Sequence, residues 1–106
     1  MNVKEMMEHT LNQMWDEVMG AKHYLELADE YYDECPLLAK IFLEIVPIEL
    51  THYEKLLKGF EESLTLMKNK DIIIPDEIKI IWNYDKRRLA HKVEKIRWSL
   101  SNIGKL

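Results

Sequence analysis

Apolar residues recur at three- and four-residue intervals in three long stretches of this chain, the period of amphipathic helices. The first helix is expected over about 3–32 and should end in the polar turn Asp33-Glu34-Cys35. The second is expected over 36–67, with Pro36 at its first position, where a missing N–H costs nothing. The third should run over about 75–102, with Gly104 as its stop. The connector Asn69 to Pro75 is apolar enough for Ile72, Ile73 and Ile74 to pack on the helices. No repeat, low-complexity tract or second boundary divides the chain, so the pattern predicts an all-α fold in one domain, 1–106.

At about 100° per residue, the first helix gathers Met6, Met7, Thr10, Met14, Glu17, Ala21, Tyr24, Leu25, Ala28 and Tyr32 on one side. The second gathers Leu38, Ile41, Ile45, Ile48, His52 and Leu56, with Glu49 on the flank of that stripe. The third presents Ile78, Ile81, Trp82, Leu89, Val93, Ile96, Leu100 and Ile103, interrupted by Asp85. All three stripes are expected to be core. Tyr84, His91 and Trp98 repeat every seven residues on the opposite side of the third helix, as an oligomer contact would. Pro47 falls inside the second helix, where it removes a donor and crowds the carbonyl of Leu43. A kink or bulge is expected there.

Composition narrows the function classes. Few Gly and Pro, with 47% hydrophobic and 32% charged residues, suit long helices in a soluble domain. A formal charge of −4 gives no reason to expect nucleic acid as a partner, and Lys86-Arg87-Arg88 reads as a solvated helix face. Cys35 is alone, so neither a disulfide nor a Cys-x-x-Cys metal site is available. The start lacks an uninterrupted apolar region and no stretch reaches membrane-spanning length, so a cytoplasmic location is expected. The methionines read as core filler rather than a copper site. His9, His23 and His91 fall on polar faces.

Glu17, Glu49 and His52 do not fit a plain core. A carboxylate in an apolar interior costs several kcal/mol unless it is paired or ligated. Glu oxygens and a neutral imidazole are natural ligands for a metal cation, which would offset that cost. Glu49 and His52, three residues apart on one helix, can reach a common centre. The bland alternative pairs Glu49 with a lysine and His52 with a carbonyl.

The segment 17–57 resembles the ferritin-like superfamily, nearest to rubrerythrins and encapsulated ferritins. The likeness rests on Glu17-x6-Tyr24-x3-Ala28, on Ala39-Lys40-Ile41-Phe42-Leu43-Glu44, and on Glu49-Leu50-Thr51-His52. It implies that Glu17, Glu49 and His52 are iron ligands, Glu49 bridging and the other two terminal. It also implies that Tyr24 lies beside the site, as a hydrogen-bond partner of a ligand carboxylate or a redox group. A full di-iron carboxylate centre takes one Glu from each of two helices and a Glu-x-x-His from each of two others. This chain carries half of that set, and its third helix has no Glu-x-x-His. The resemblance therefore implies a helical hairpin plus a long third helix, with a four-helix bundle completed in a homodimer or higher homo-oligomer. The implied activity is oxidation of Fe(II) by dioxygen or peroxide, with Mn or Zn as other metals the ligands tolerate. A non-catalytic interaction module without metal is the alternative. Ile103-Gly104-Lys105-Leu106 is similar to the tail of encapsulin cargo, which would make an encapsulin shell a partner.

Overall fold

The computed structural model describes residues 2–103, and these form three α-helices joined by short turns. Helix α1 spans Val3–Tyr31, α2 spans Pro36–Asn69 and α3 spans Asp76–Asn102. Each begins where local chemistry supplies a start. The Asn2 side chain accepts a hydrogen bond from the backbone N–H of Glu5, capping α1. Pro36 opens α2. Asp76 and Glu77 lie in the first turn of α3, where the helix dipole favours acids. Helix α2 stops in a Schellman motif: Ile72 N–H bonds to the Met67 carbonyl and Asp71 N–H to that of Lys68. Asp71 takes the left-handed conformation this cap requires, at φ 61°. A short polar side chain tolerates that region better than most.

The connections turn the chain up, down and up again. Residue pairs such as Tyr24 with Phe42 and Phe60 with Trp82 fix α1 against α2 and α2 against α3 in antiparallel fashion. The result is a rod of 57 × 18 × 18 Å with a radius of gyration of 16.9 Å. A compact chain of this length would have about 13 Å. One continuous core runs along the rod, drawing Met7, Met14, Val18 and Leu25 from α1, Val46, Leu50, Tyr53 and Phe60 from α2, and Ile78, Trp82, Leu89, Val93 and Ile96 from α3.

Helix α3 lies along the side of α1 that carries Leu11, Trp15 and Val18. Arg88 and Lys92 stand over the Trp15 ring, 5.3 and 5.2 Å from its centroid. Glu61 of α2 accepts hydrogen bonds from Trp82 Nε1 at 3.2 Å and Lys86 Nζ at 2.7 Å, and Arg97 pairs with Glu54. Of the basic run, Arg87 is solvated, whereas Lys86 and Arg88 hold partners on other side chains.

Several expectations need correction. The buried residues of α2 are Ala39, Val46, Leu50, Tyr53, Phe60 and Met67, a different face from the expected stripe. Leu38, Ile41 and Ile48 of that stripe are exposed, and Ile45 and Leu56 are half-buried. The difference arises because α2 is apolar on two faces and α1 and α3 cover only one. No bulge interrupts α2 at Pro47, which is exposed in continuous α-helix. In the connector only Ile74 packs on the core, while Ile73 is 89% exposed. Tyr84, His91 and Trp98 do face solvent, as do His9 and His23. Gly104 and the end of the cargo-like tail lie outside the described residues. Among the described residues no helix is long and apolar enough to cross a membrane.

Candidate metal centre

Glu17 on α1 and Glu49 and His52 on α2 meet across the hairpin, with one ligand atom from each within 4.8 Å of the others. The antiparallel crossing that stacks Tyr24 on Phe42 sets this register. Glu49 and His52 then reach Glu17 from adjacent turns of α2. His52 Nδ1 lies 3.3 Å from Glu17 Oε2, which leaves the second ring nitrogen without a partner from the described residues. The three residues thus converge as the sequence predicts.

Their burial differs from expectation. Among the described residues no polar or charged side chain is buried. The Glu17 side chain is 22% exposed and that of His52 49%. The cluster sits at the margin of the core and opens onto the uncovered face of α2. Desolvation within one chain therefore supplies only part of the reason for a metal. The arrangement of the two carboxyl groups supplies more. Glu49 is held above the ordinary glutamate range, first by a hydrogen bond shared with Glu17, then by burial and by repulsion from the Glu17 charge. The positive charge available to His52 pulls the other way. Two carboxyl groups that face each other are relieved by a cation between them as well as by a proton.

Of the two roles expected of Tyr24, the hydrogen bond to a ligand carboxylate is not made. Its ring packs against Phe42, with centroids 6.0 Å apart, and its hydroxyl makes no hydrogen bond to Glu17, Glu49 or His52. It follows Glu17 by nearly two helical turns, so it shares the flank without sharing the ligand layer. Helix α3 brings no side chain into the cluster and lies on the other side of the hairpin.

One feature escaped the sequence pattern. Gly20, a turn beyond Glu17, faces the Glu49 carboxylate, and a Cβ there would stand in contact with Oε2 at 3.4 Å. An isolated glycine inside a helical pattern was the available signal.

The donor chemistry fits a metal that accepts carboxylate and imidazole together, which includes Fe, Mn and Zn. Three side chains leave such an ion short of its usual coordination number, and the side on which further ligands would enter is the apolar face left open by α3. In comparisons with protein-family models, curated proteins and solved structures, the chain matches none of them.

Proposed function

We propose that this chain is one half of a ferritin-like di-iron protein, in which two copies meet on the open faces of their hairpins and join two half-sites. The observation that carries the reading is the coincidence of Glu17, Glu49 and His52 with an exposed apolar stripe. Leu38, Ile41 and Ile48, on the stripe of α2 that leads to His52, form a surface that one chain leaves in water. Burying it against an identical surface is favourable, at about 25 cal/mol per Å² of apolar area removed from water. A two-fold axis through the site brings four Glu and two His together, the ligand set of di-iron carboxylate proteins.

The reaction that suits this set is the oxidation of Fe(II), the substrate, by dioxygen or peroxide. Two Fe(II) surrender one electron each; with dioxygen and two protons the products are two Fe(III) and one hydrogen peroxide. The chain's residues have separate tasks in it. Glu49 would bridge the two ions. Glu17 and His52 would bind terminally. A cation held there would offset the repulsion between Glu17 and Glu49, since it binds the same oxygens that a proton does. Leu38, Ile41 and Ile48 of both copies exclude water around the charges. A cytoplasmic setting belongs to the same reading.

Metal analysis combined with sedimentation tests the proposal. Purified protein is expected to be a dimer or a multiple of one, with two irons per pair, and Glu49→Ala and His52→Ala should each lose the metal. Metal-free protein whose stability and association ignore both substitutions overturns it. That outcome is favoured by the 3.3 Å Glu17–His52 contact, in which the two side chains already satisfy each other. The open face would then serve a helical partner in a non-catalytic module. Rates of Fe(II) oxidation with dioxygen and with peroxide decide between the two oxidants.

A further inference from the structure

We infer that Gly20 is a positioning residue for Glu49: the missing side chain keeps one carboxylate oxygen, Oε2, open for a cation. The inference rests on the metal-centre reading above. Glycine in a helix interior is unfavourable relative to alanine, because its backbone loses more freedom on folding. Gly20 nevertheless stands well inside the 29 residues of α1, and its φ lies outside the left-handed region, so no turn demands it. Its surroundings give the reason. A Cβ at this position would meet Glu49 Oε2 at 3.4 Å and Glu49 Cδ at 3.8 Å; apart from its own helix backbone, nothing else comes within 4 Å. The slot made by the absent side chain is therefore occupied by one group only, the Glu49 carboxylate. Gly59 on α2 makes the contrast, since a Cβ there would meet nothing within 4 Å.

The consequence concerns both oxygens of Glu49. A carboxylate that bridges two cations uses one oxygen for each, so neither can be covered. A methyl group at Gly20 would stand in van der Waals contact with Oε2 and occupy the side from which water or a cation reaches that oxygen. Metal-free protein tolerates that change, because 3.4 Å is an ordinary contact for a carboxylate that holds no cation. A bridging ligand does not.

The test uses the full chain, with Fe(II) added anaerobically and followed by calorimetric titration, beside thermal unfolding and sedimentation without metal. Gly20→Ala is expected to raise the metal-free Tm by a few degrees through helix propensity. It should weaken Fe(II) binding by about tenfold or more, the usual effect of disturbing the support of a metal ligand. Gly59→Ala should raise the Tm and leave Fe(II) affinity unchanged. Wild-type affinity in Gly20→Ala overturns the inference while leaving the metal centre intact. A lowered metal-free Tm, or loss of self-association without metal, also overturns it, because the glycine would then serve packing alone. If the wild type itself takes up no Fe(II), the metal-centre reading fails and this inference falls with it.

Discussion

Glu49 and Glu61 lie twelve residues apart on α2 and meet opposite surroundings. Glu61 faces α3. Burial pushes its pKa up, but hydrogen bonds from Lys86 and Trp82 and the Lys86 charge outweigh that and hold it below the ordinary range. Glu49 faces another carboxylate and is held above it. The same contrast extends to the apolar residues around them. Phe60 and Tyr53 are covered by the other helices, while Ile41 and Ile48 are left in water. One side of α2 is covered within this chain and the other is exposed. A side chain type says little about its role until its neighbours are known.

The sharpest way to break the comparison is to truncate one residue on each side. Phe60→Ala removes a ring that stacks 4.2 Å from Trp82 and should destabilise the protein by about 3–5 kcal/mol in chemical denaturation. Ile48→Ala should stay within about 0.5 kcal/mol in dilute solution, where association does not contribute. Equal losses would mean that both sides are core.

Charge on the open side is the next most informative change. Ile41→Glu with Ile48→Glu should abolish self-association in sedimentation while circular dichroism retains the helices. A like charge beside each apolar contact is strongly unfavourable in an interface and harmless in water. Persistence of the dimer would place the interface elsewhere, with Tyr84 and Trp98 the obvious surface to examine.

Smaller effects should separate the two glutamates. Glu61→Gln weakens two hydrogen bonds to a partly exposed group and should cost about 1 kcal/mol. Glu49→Gln should leave metal-free stability at neutral pH unchanged or improved, since it removes one of two facing carboxylates.

The pH dependence has opposite signs, and it is the finest probe. A raised carboxyl pKa means that the folded state holds its proton more tightly. The Glu49 contribution is therefore complete below the ordinary glutamate range and is lost as pH rises through the raised folded value. For Glu61 the folded pKa is lowered, so its contribution is present above the ordinary range and disappears as pH falls through the folded value. Thermal unfolding of Glu49→Gln and Glu61→Gln across the acidic range should remove one limb each. A single variant that flattens both would show that the two sites are coupled.

How much of this could be read from residue order depends on the kind of interaction. Pro36, the acidic start of α3 and the polar turn at Asp33 located helix ends within two residues, because caps and breakers act locally. The stripe from Ile78 to Ile96 correctly named the buried side of α3, which has only one apolar side to offer. For α2 the same rule failed: Ala39, Val46, Leu50 and Tyr53 were passed over for Leu38, Ile41 and Ile48. Periodicity reports that a face is apolar and cannot report which neighbour arrives first. The meeting of Glu17 with Glu49 and His52 was legible in spacing and resemblance together. Their half-exposed position was not, nor was the contact of Gly20 with Glu49, which spans two helices.

The sequence by itself determined three helices, their ends, and the three residues able to ligate a cation. Hydrogen bonding along one backbone and the chemistry of single side chains suffice for those. The tertiary structure alone decided that α3 covers the Trp15 side of the hairpin and leaves Glu17, Glu49 and His52 facing outward. That choice depends on distances between residues far apart in the chain, which are set by how whole helix surfaces fit.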